Sequence, residues 1–298
     1  AVRLCFLPVP LPGADFPSAA FGSAVHFSAF PQGSINRHLH ASKKRIHHFD
    51  RSGNIRYNAI YDHDLANTGN GKPETHLATT AIIFYSKLMF VSVIIPAYNE
   101  EQYIPRLMRA LQKQTYRNFE VIVADAFSTD RTRRIAASYG ATVVDGGLPA
   151  EGRNRGAEAA KGDFFFFFDS DVIITSTFIE DAVTEIQEKS IKLAGCEAKP
   201  LSTRLLDKVL HKFAFVGMKL TKESNPRLPG YCILISRNIF EKLGGFDETI
   251  RVGEDLNLVT RAVDITPLHL LESASVNVSV RRYDKEGRLP YLRKSIRV

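Results

Sequence analysis

Five consecutive phenylalanines, Phe164 to Phe168, run straight into Asp169, Ser170 and Asp171. A strand solvated on one face alternates apolar and polar residues, so an unbroken aromatic run suits a strand covered on both faces. The segments upstream agree. "FVSVIIP" (90–96) is a short β-branched run ended by proline and predicts a buried strand. Ile104, Leu107, Met108 and Leu111 then recur at helical spacing, with Pro105 suited to a first turn. "FEVIVAD" (119–125) predicts a second strand, 129–139 a helix closed by Gly140, "ATVVD" (141–145) a third strand, and 151–160 a helix closed near Gly162. Strands alternating with helices predict an α/β fold, a mostly parallel sheet flanked by helices.

In such sheets ligands sit beyond the carboxyl ends of the strands. Here those ends carry "PAYNEE", "DAFSTD" and "DSD", which would gather Glu100, Asp125, Asp169 and Asp171 at one edge. Carboxylates so crowded call for a cation, and hard divalent ions prefer carboxylate oxygens and often bridge them to a substrate's phosphates. Asp-x-Asp alone is also a common turn or helix cap. Its position in series with the other strand ends is what points to a metal and a diphosphate. No G-x-G-x-x-G follows the first strand, which disfavours a dinucleotide site, and no G-x-x-x-x-G-K-[ST] occurs, which disfavours a P-loop nucleotidase.

Six motifs in order resemble glycosyltransferase family 2, the nucleotide-diphospho-sugar transferases of the GT-A fold. They are "VSVIIPAYNEE" (91–101), "FEVIVADAFSTDRT" (119–132), "GRNRGAEAAKGD" (152–163), "DSD" (169–171), "GGFDE" (244–248) and "GED" (253–255). The resemblance implies that Pro96, Ala97, Tyr98 and Glu100 line a nucleotide pocket and that Asp125 contacts base or ribose. It implies Arg153 near the nucleotide or diphosphate, and Asp169 and Asp171 on Mn2+ or Mg2+, the second more directly. Asp255, after Glu254, matches the general base of inverting members. The implied activity is an inverting, metal-dependent hexosyl transfer from a nucleoside-diphosphate sugar to a hydroxyl acceptor in polysaccharide, glycolipid or cell-envelope glycan synthesis. Transfer to a polyprenyl or dolichyl phosphate is the alternative within that chemistry. A sugar nucleotidyltransferase would want a Gly-rich basic loop where "PAYNEE" stands, and a non-catalytic nucleotide- or glycan-binding module is the alternative of another class. Family members often carry a second aspartate and then Gly-Ser after the second strand; here Ala126 and Phe127 precede Ser128. The loop after the metal motif continues as Val172, and no downstream histidine ligand is evident; His269 comes early.

The two ends read differently. Residues 1–88 hold seven of the nine histidines, show no sustained period, and predict a poorly structured extension before a domain over 89–280. The first methionine is Met89, immediately before the first strand, which suggests translation from there. The apolar run 77–98 approaches a membrane span in length, but Lys87 interrupts it and its second half suits a core strand. "LLDKVLHKFAFVGMKLTK" (205–222) predicts a basic amphipathic helix, either packed on the domain or lying on an anionic membrane near a lipid-linked acceptor. Residues 281–298 carry seven Lys/Arg against Asp284 and Glu286 and predict a basic C-terminal helix, with Arg281 and Arg282 placed to bind a donor diphosphate or phosphorylated acceptor. The net charge of +7 fits an acidic partner of that kind. That charge lies at both ends and no nucleic-acid reading motif appears, so nucleic acid is not expected. Cys5, Cys196 and Cys232 form no disulfide or zinc spacing, so a reducing, cytoplasmic setting is expected, with peripheral contact at the inner face of a membrane.

Overall fold

The computed structural model describes residues 46–49, 55–61, 80–86 and 89–288. The chain divides into two units, Ala1–Leu88 and Met89–Val298. In the first, where the sequence shows no period, three strands pair antiparallel in chain order: β1 (Ile46–Phe49), β2 (Ile55–Tyr61) and β3 (Thr80–Ser86).

The second unit is one mixed sheet with helices on both faces. Its strands are β4 (Val91–Ala97), β5 (Phe119–Asp125), β6 (Thr142–Asp145), β7 (Phe164–Phe168), β8 (Ile173–Ile174), β9 (Leu193–Pro200), β10 (Cys232–Ser236) and β11 (Leu268–Val278). The helices are α1 (Ile104–Gln112), α2 (Thr132–Ser138), α3 (Pro149–Ala159), α4 (Phe178–Glu188), α5 (Leu205–Thr221), α6 (Arg237–Lys242), α7 (Glu254–Val263) and α8 (Arg281–Glu286). The strand order is β6-β5-β4-β7-β10-β9-β11-β8. The β6 to β7 half is parallel, as the alternation predicts. Beyond β7, β9 and β11 pair parallel, while β10 runs antiparallel to both β7 and β9, and β8 antiparallel to β11, so the sheet is mostly parallel with antiparallel members. The reversal follows from the chain: β10 runs into α6, whose Arg237 amide donates to the Asp163 carbonyl at the start of β7.

The phenylalanine strand occupies the centre, between β4 and β10, and all five rings are buried. Phe165 and Phe167 pack on Phe240, and Phe167 also on Phe246. Phe168 packs on Phe178, and Phe164 and Phe166 meet edge to face. Both faces are therefore filled, and truncating any one of the five to alanine should cost about 3–5 kcal/mol. Helix α3 lies close on β4: a Cβ on Gly156 would fall 2.4 Å from Ile94 Cγ2. That contact holds α3, and with it Arg153, against the sheet.

Of the expected helix over 281–298, α8 covers Arg281–Glu286, and Gly287 follows with φ of 81° and ψ of 150°, a conformation that glycine adopts without strain. Residues 289–298 lie outside the described residues. Cys196 and Cys232 are distant in sequence but sit on neighbouring strands, buried, with Sγ atoms 3.2 Å apart.

Candidate active site

The loops leaving β4 and β5 are tied to each other. The Asn99 amide donates to Ser128 Oγ at 2.9 Å and the Thr129 amide to Asn99 Oδ1 at 2.9 Å. The Glu100 amide donates to Thr132 Oγ1 at 2.7 Å. Both loops turn through left-handed backbone, at Asn99 (φ 52°) and Phe127 (φ 56°). Asparagine tolerates that region, whereas phenylalanine adopts it only at a cost of about 1–2 kcal/mol. Phe127 stands where the family resemblance expects glycine, so the substitution is paid in backbone strain. Its ring is exposed, as is that of Tyr98 on the neighbouring strand end. Pro96 and the buried Ala97 close β4 directly before Tyr98. Asp125 is fully buried; its Oδ2 accepts from the Ser128 amide at 3.1 Å and faces Arg133 at 3.4 Å. Asp125 Oδ1 has no hydrogen-bond partner, an acceptor that a ligand N–H or O–H would satisfy.

Two arginines organise the carboxylates. Arg153, on α3, is buried and donates from Nη1 to Glu254 Oε1 at 2.7 Å and from Nη2 to Asp169 Oδ1 at 3.1 Å. It thereby joins the end of the phenylalanine strand to the start of α7. Arg281, at the start of α8, reaches the other acids. Its Nη1 and Nη2 bond Glu100 at 2.9 and 2.6 Å, its Nε lies 3.0 Å from Asp171 Oδ2, and its guanidinium stacks 4.4 Å from the Tyr103 ring centroid. The hydrogen-bonded Glu100, and then the charge of Asp171, push Arg281 further up from its already high range, against the effect of burial. Thus Glu100, Asp169 and Asp171 do collect at one edge, while Asp125 is held in the core beside Arg133. Arg282 starts the same short helix, and its side chain lies outside the described residues.

Asp255 and Glu254 open α7 directly after Gly253, whose φ of 85° turns the chain into the helix. Asp255 Oδ2 accepts from the Gly230 amide at 2.6 Å and Oδ1 from the Leu256 amide at 2.8 Å. Burial pushes its carboxyl above the usual aspartate range; the two amides and Arg153 pull it back only in part, and Glu254 adds to the rise. Gly230 is a site residue that the motifs did not reveal. A Cβ there would fall 2.6 Å from Arg153 Nη2 and 3.3 Å from Asp255 Oδ2, so any side chain would wedge the arginine from the aspartate. The one signal was a glycine within "LPGYC", just before β10. Asn154 was missed as well: it bridges the Phe246 carbonyl and amide at 2.9 Å and so anchors "GGFDE" to α3.

Asp169 and Asp171 offer the hard oxygen donors that Mg2+ or Mn2+ prefers, so the donor set suits such an ion. Among the described residues no cluster of three His, Cys, Asp or Glu side chains stands ready for a metal. His269 bonds the Pro267 carbonyl on the far part of the sheet. In this arrangement the positive charge beside Asp171 comes from Arg281.

Residues 92–244 match the family described as glycosyl transferase family 2. The poly(ribitol-phosphate) beta-N-acetylglucosaminyltransferase TarS of Staphylococcus aureus (strain Mu50) is 28% identical over 184 residues, 56% of this chain and 31% of that protein. An uncharacterized glycosyltransferase of Rickettsia typhi is 29% identical over 191 residues, 58% of each chain. Both relatives are thus spanned over less than two thirds of their length. Among solved structures, S. aureus TarS 1–349 in complex with UDP superposes with a TM-score of 0.54 at 26% identity, over 64% of this chain and 61% of that one. A mannosyltransferase from Pyrobaculum calidifontis matches the fold with a TM-score of 0.54 at 20% identity, over 70% of this chain and 65% of that one.

Proposed function

The chain belongs to glycosyl transferase family 2, and from that premise we propose that it transfers a hexosyl group from a nucleoside-diphosphate sugar to a hydroxyl acceptor, with inversion at the anomeric carbon. The observation that carries the reading is the contiguity of Asp255, Arg153 and Asp169. Gly230 lies between Asp255 and Arg153, and Arg153 bonds Asp169, so a raised-pKa carboxylate stands next to the Asp-x-Asp edge.

The roles follow from the chemistry at each position. Tyr98 and Phe127 offer exposed aromatic faces to a base, next to Pro96 and Ala97 at the end of β4, and the buried, unpartnered Asp125 Oδ1 is an acceptor that a base N–H or ribose hydroxyl reaching it would satisfy. Asp169 and Asp171 would hold the divalent ion, which supplies positive charge to the departing diphosphate. Arg281 carries a second positive charge at that edge. The acceptor oxygen forms its bond to the anomeric carbon as the bond to the diphosphate oxygen breaks. The electron pair leaves with the nucleoside diphosphate, and the acceptor proton passes to Asp255, a step worth about 10²–10⁴ in rate. Attack opposite the leaving group in one displacement inverts the carbon. TarS, 26% identical, was crystallised with UDP and with UDP-GlcNAc, so a uridine donor is the first to test. An acceptor in polysaccharide, glycolipid or cell-envelope synthesis fits this chemistry, at the cytoplasmic face of a membrane. A lipid-linked or polyprenyl-phosphate acceptor is the second reading, favoured by the apolar surface of α5.

Calorimetric titration with UDP, GDP and dTDP, each with and without Mn2+, tests the donor site. Binding of one nucleotide that depends on metal is the expected result. Asp255→Asn should keep that binding and lose about 10²–10⁴ in turnover. Metal-independent binding with no turnover would favour a binding module instead.

A further inference from the structure

Helix α5 is docked by one face and bare on the other. The docked face is Asp207, His211 and Phe215. Arg288 donates to both Asp207 oxygens, at 2.6 and 3.0 Å, and holds that carboxyl down to about 2. His211 lies 3.1 Å from the Ala198 carbonyl and 3.0 Å from the Tyr283 hydroxyl, which ties α5 to β9 and α8. On the opposite side Leu206, Val209, Phe213, Val216 and Leu220 recur every three or four residues and all are exposed, Phe213 by 72% and Leu220 by 80%. Leu205 extends the same stripe. A folded chain has no reason of stability to leave so continuous an apolar stripe in water.

The charges around the stripe select its occupant. At about 100° per residue, Lys208, Lys212 and Lys219 fall along one border of it, between the bare and docked faces. Lys212 reaches Glu197 at 3.1 Å and Lys219 approaches Glu272 at 3.9 Å, and all three lysines remain exposed. The single acid of the helix, Asp207, is buried on the docked side. The exposed surface of α5 is therefore apolar with a margin whose own charges are all cationic, Lys212 and Lys219 being shared with Glu197 and Glu272 on the neighbouring strands. A second copy of the chain seated on the stripe would bring these lysine rows toward each other. Anionic lipid headgroups would neutralise them while the leucines and phenylalanine enter the acyl boundary. With 17 residues and charge along its side, α5 suits the plane of the interface, and no helix among the described residues is long and apolar enough to cross a membrane.

We propose that α5 is an in-plane docking helix for an anionic lipid bilayer, with Leu206, Val209, Phe213, Val216 and Leu220 inserted and Lys208, Lys212 and Lys219 at the headgroups. Arg288 and Tyr283 fix the helix to the segment that carries Arg281, so the bilayer would orient the acidic edge through α8.

Flotation of the full chain with phosphatidylcholine–phosphatidylglycerol vesicles, and with phosphatidylcholine vesicles alone, reads this without turnover. It therefore fails or succeeds independently of the donor site. The wild-type chain should float with the anionic vesicles and less so at high salt. The double substitution Phe213→Ser with Leu220→Ser should lower binding at least about tenfold. Lys208→Glu should lower it about fivefold or more, and Lys242→Glu on α6 should leave it unchanged. All variants should melt with the wild type, since the changed residues are exposed. Absence of flotation, or equal flotation of the double variant, overturns the proposal. So does a chain that is dimeric by light scattering and becomes monomeric on Phe213→Ser, which would give the stripe to a second copy.

Discussion

Arg153 and Arg281 hold the same kind of partner in opposite circumstances. Each guanidinium meets two carboxylates, Asp169 and Glu254 in one case and Glu100 and Asp171 in the other. The Arg153 side chain is 4% exposed and that of Arg281 is 32% exposed. A buried ion pair that loses one member leaves charge in a low-dielectric interior, whereas a partly solvated one hands that charge to water. The first is thus a structural joint and the second a displaceable counter-charge. The contrast lies in the guanidiniums and not in the acids, since Asp169 is 31% exposed and Asp171 14%.

The largest expected effect breaks the joint. Arg153→Met should cost about 3–5 kcal/mol in denaturant unfolding. Arg281→Gln should cost less, about 1–3 kcal/mol, because its guanidinium is partly solvated although Glu100 and Asp171 are mostly buried. Equal costs would abolish the distinction. Next is pH. Because burial raises Asp255, activity should climb from acid pH through a midpoint above the ordinary aspartate value of 3.8. The same shift means that ionised Asp255 opposes folding. Its favourable contribution is complete below the unfolded pKa and is lost as pH rises through the folded one, so Asp255→Asn should be at least as stable as wild type near neutrality. Arg153→Lys, if folded, should move the midpoint of kcat/KM little, since it keeps the charge that partly offsets the rise. A smaller effect sharpens the role of Arg281: with its guanidinium removed, Mn2+ should bind about tenfold more tightly in the absence of nucleotide, about 1.4 kcal/mol, as followed by electron paramagnetic resonance. Unchanged affinity would mean that Arg281 does not compete for Asp171. The smallest is Phe127→Gly, which relieves the left-handed strain and should gain less than about 1 kcal/mol of stability while weakening nucleotide binding.

Much of the core was legible because its signals are local. The β-branched run of β4, the helical spacing of Ile104, Leu107, Met108 and Leu111, and the aromatic run of β7 each state their burial within a few residues. Glu100, Asp169 and Asp171 were legible as strand-end acids for the same reason. The partners of those acids were not. Arg281 lies 181 residues from Glu100, and Arg153 lies 101 residues from Glu254. A basic residue in a charge-rich tail carries no mark of which carboxylate it will meet. Gly230 was equally silent, since its need for a bare Cα arises from two side chains that converge on it from α3 and α7.

The sequence by itself determined the element types of β4 through β7 and the chemistry available at their ends, because periodicity and residue type act over one or two turns. Only the tertiary structure decided the antiparallel return of β10, the assignment of each acid to its arginine, and the face of α5 that stays bare. An amphipathic pattern records that a helix has an apolar side, and on α5 that side turned outward. Long-range sheet order and the Arg288–Asp207 and Tyr283–His211 contacts determine which side is covered, and neither is written within the helix itself.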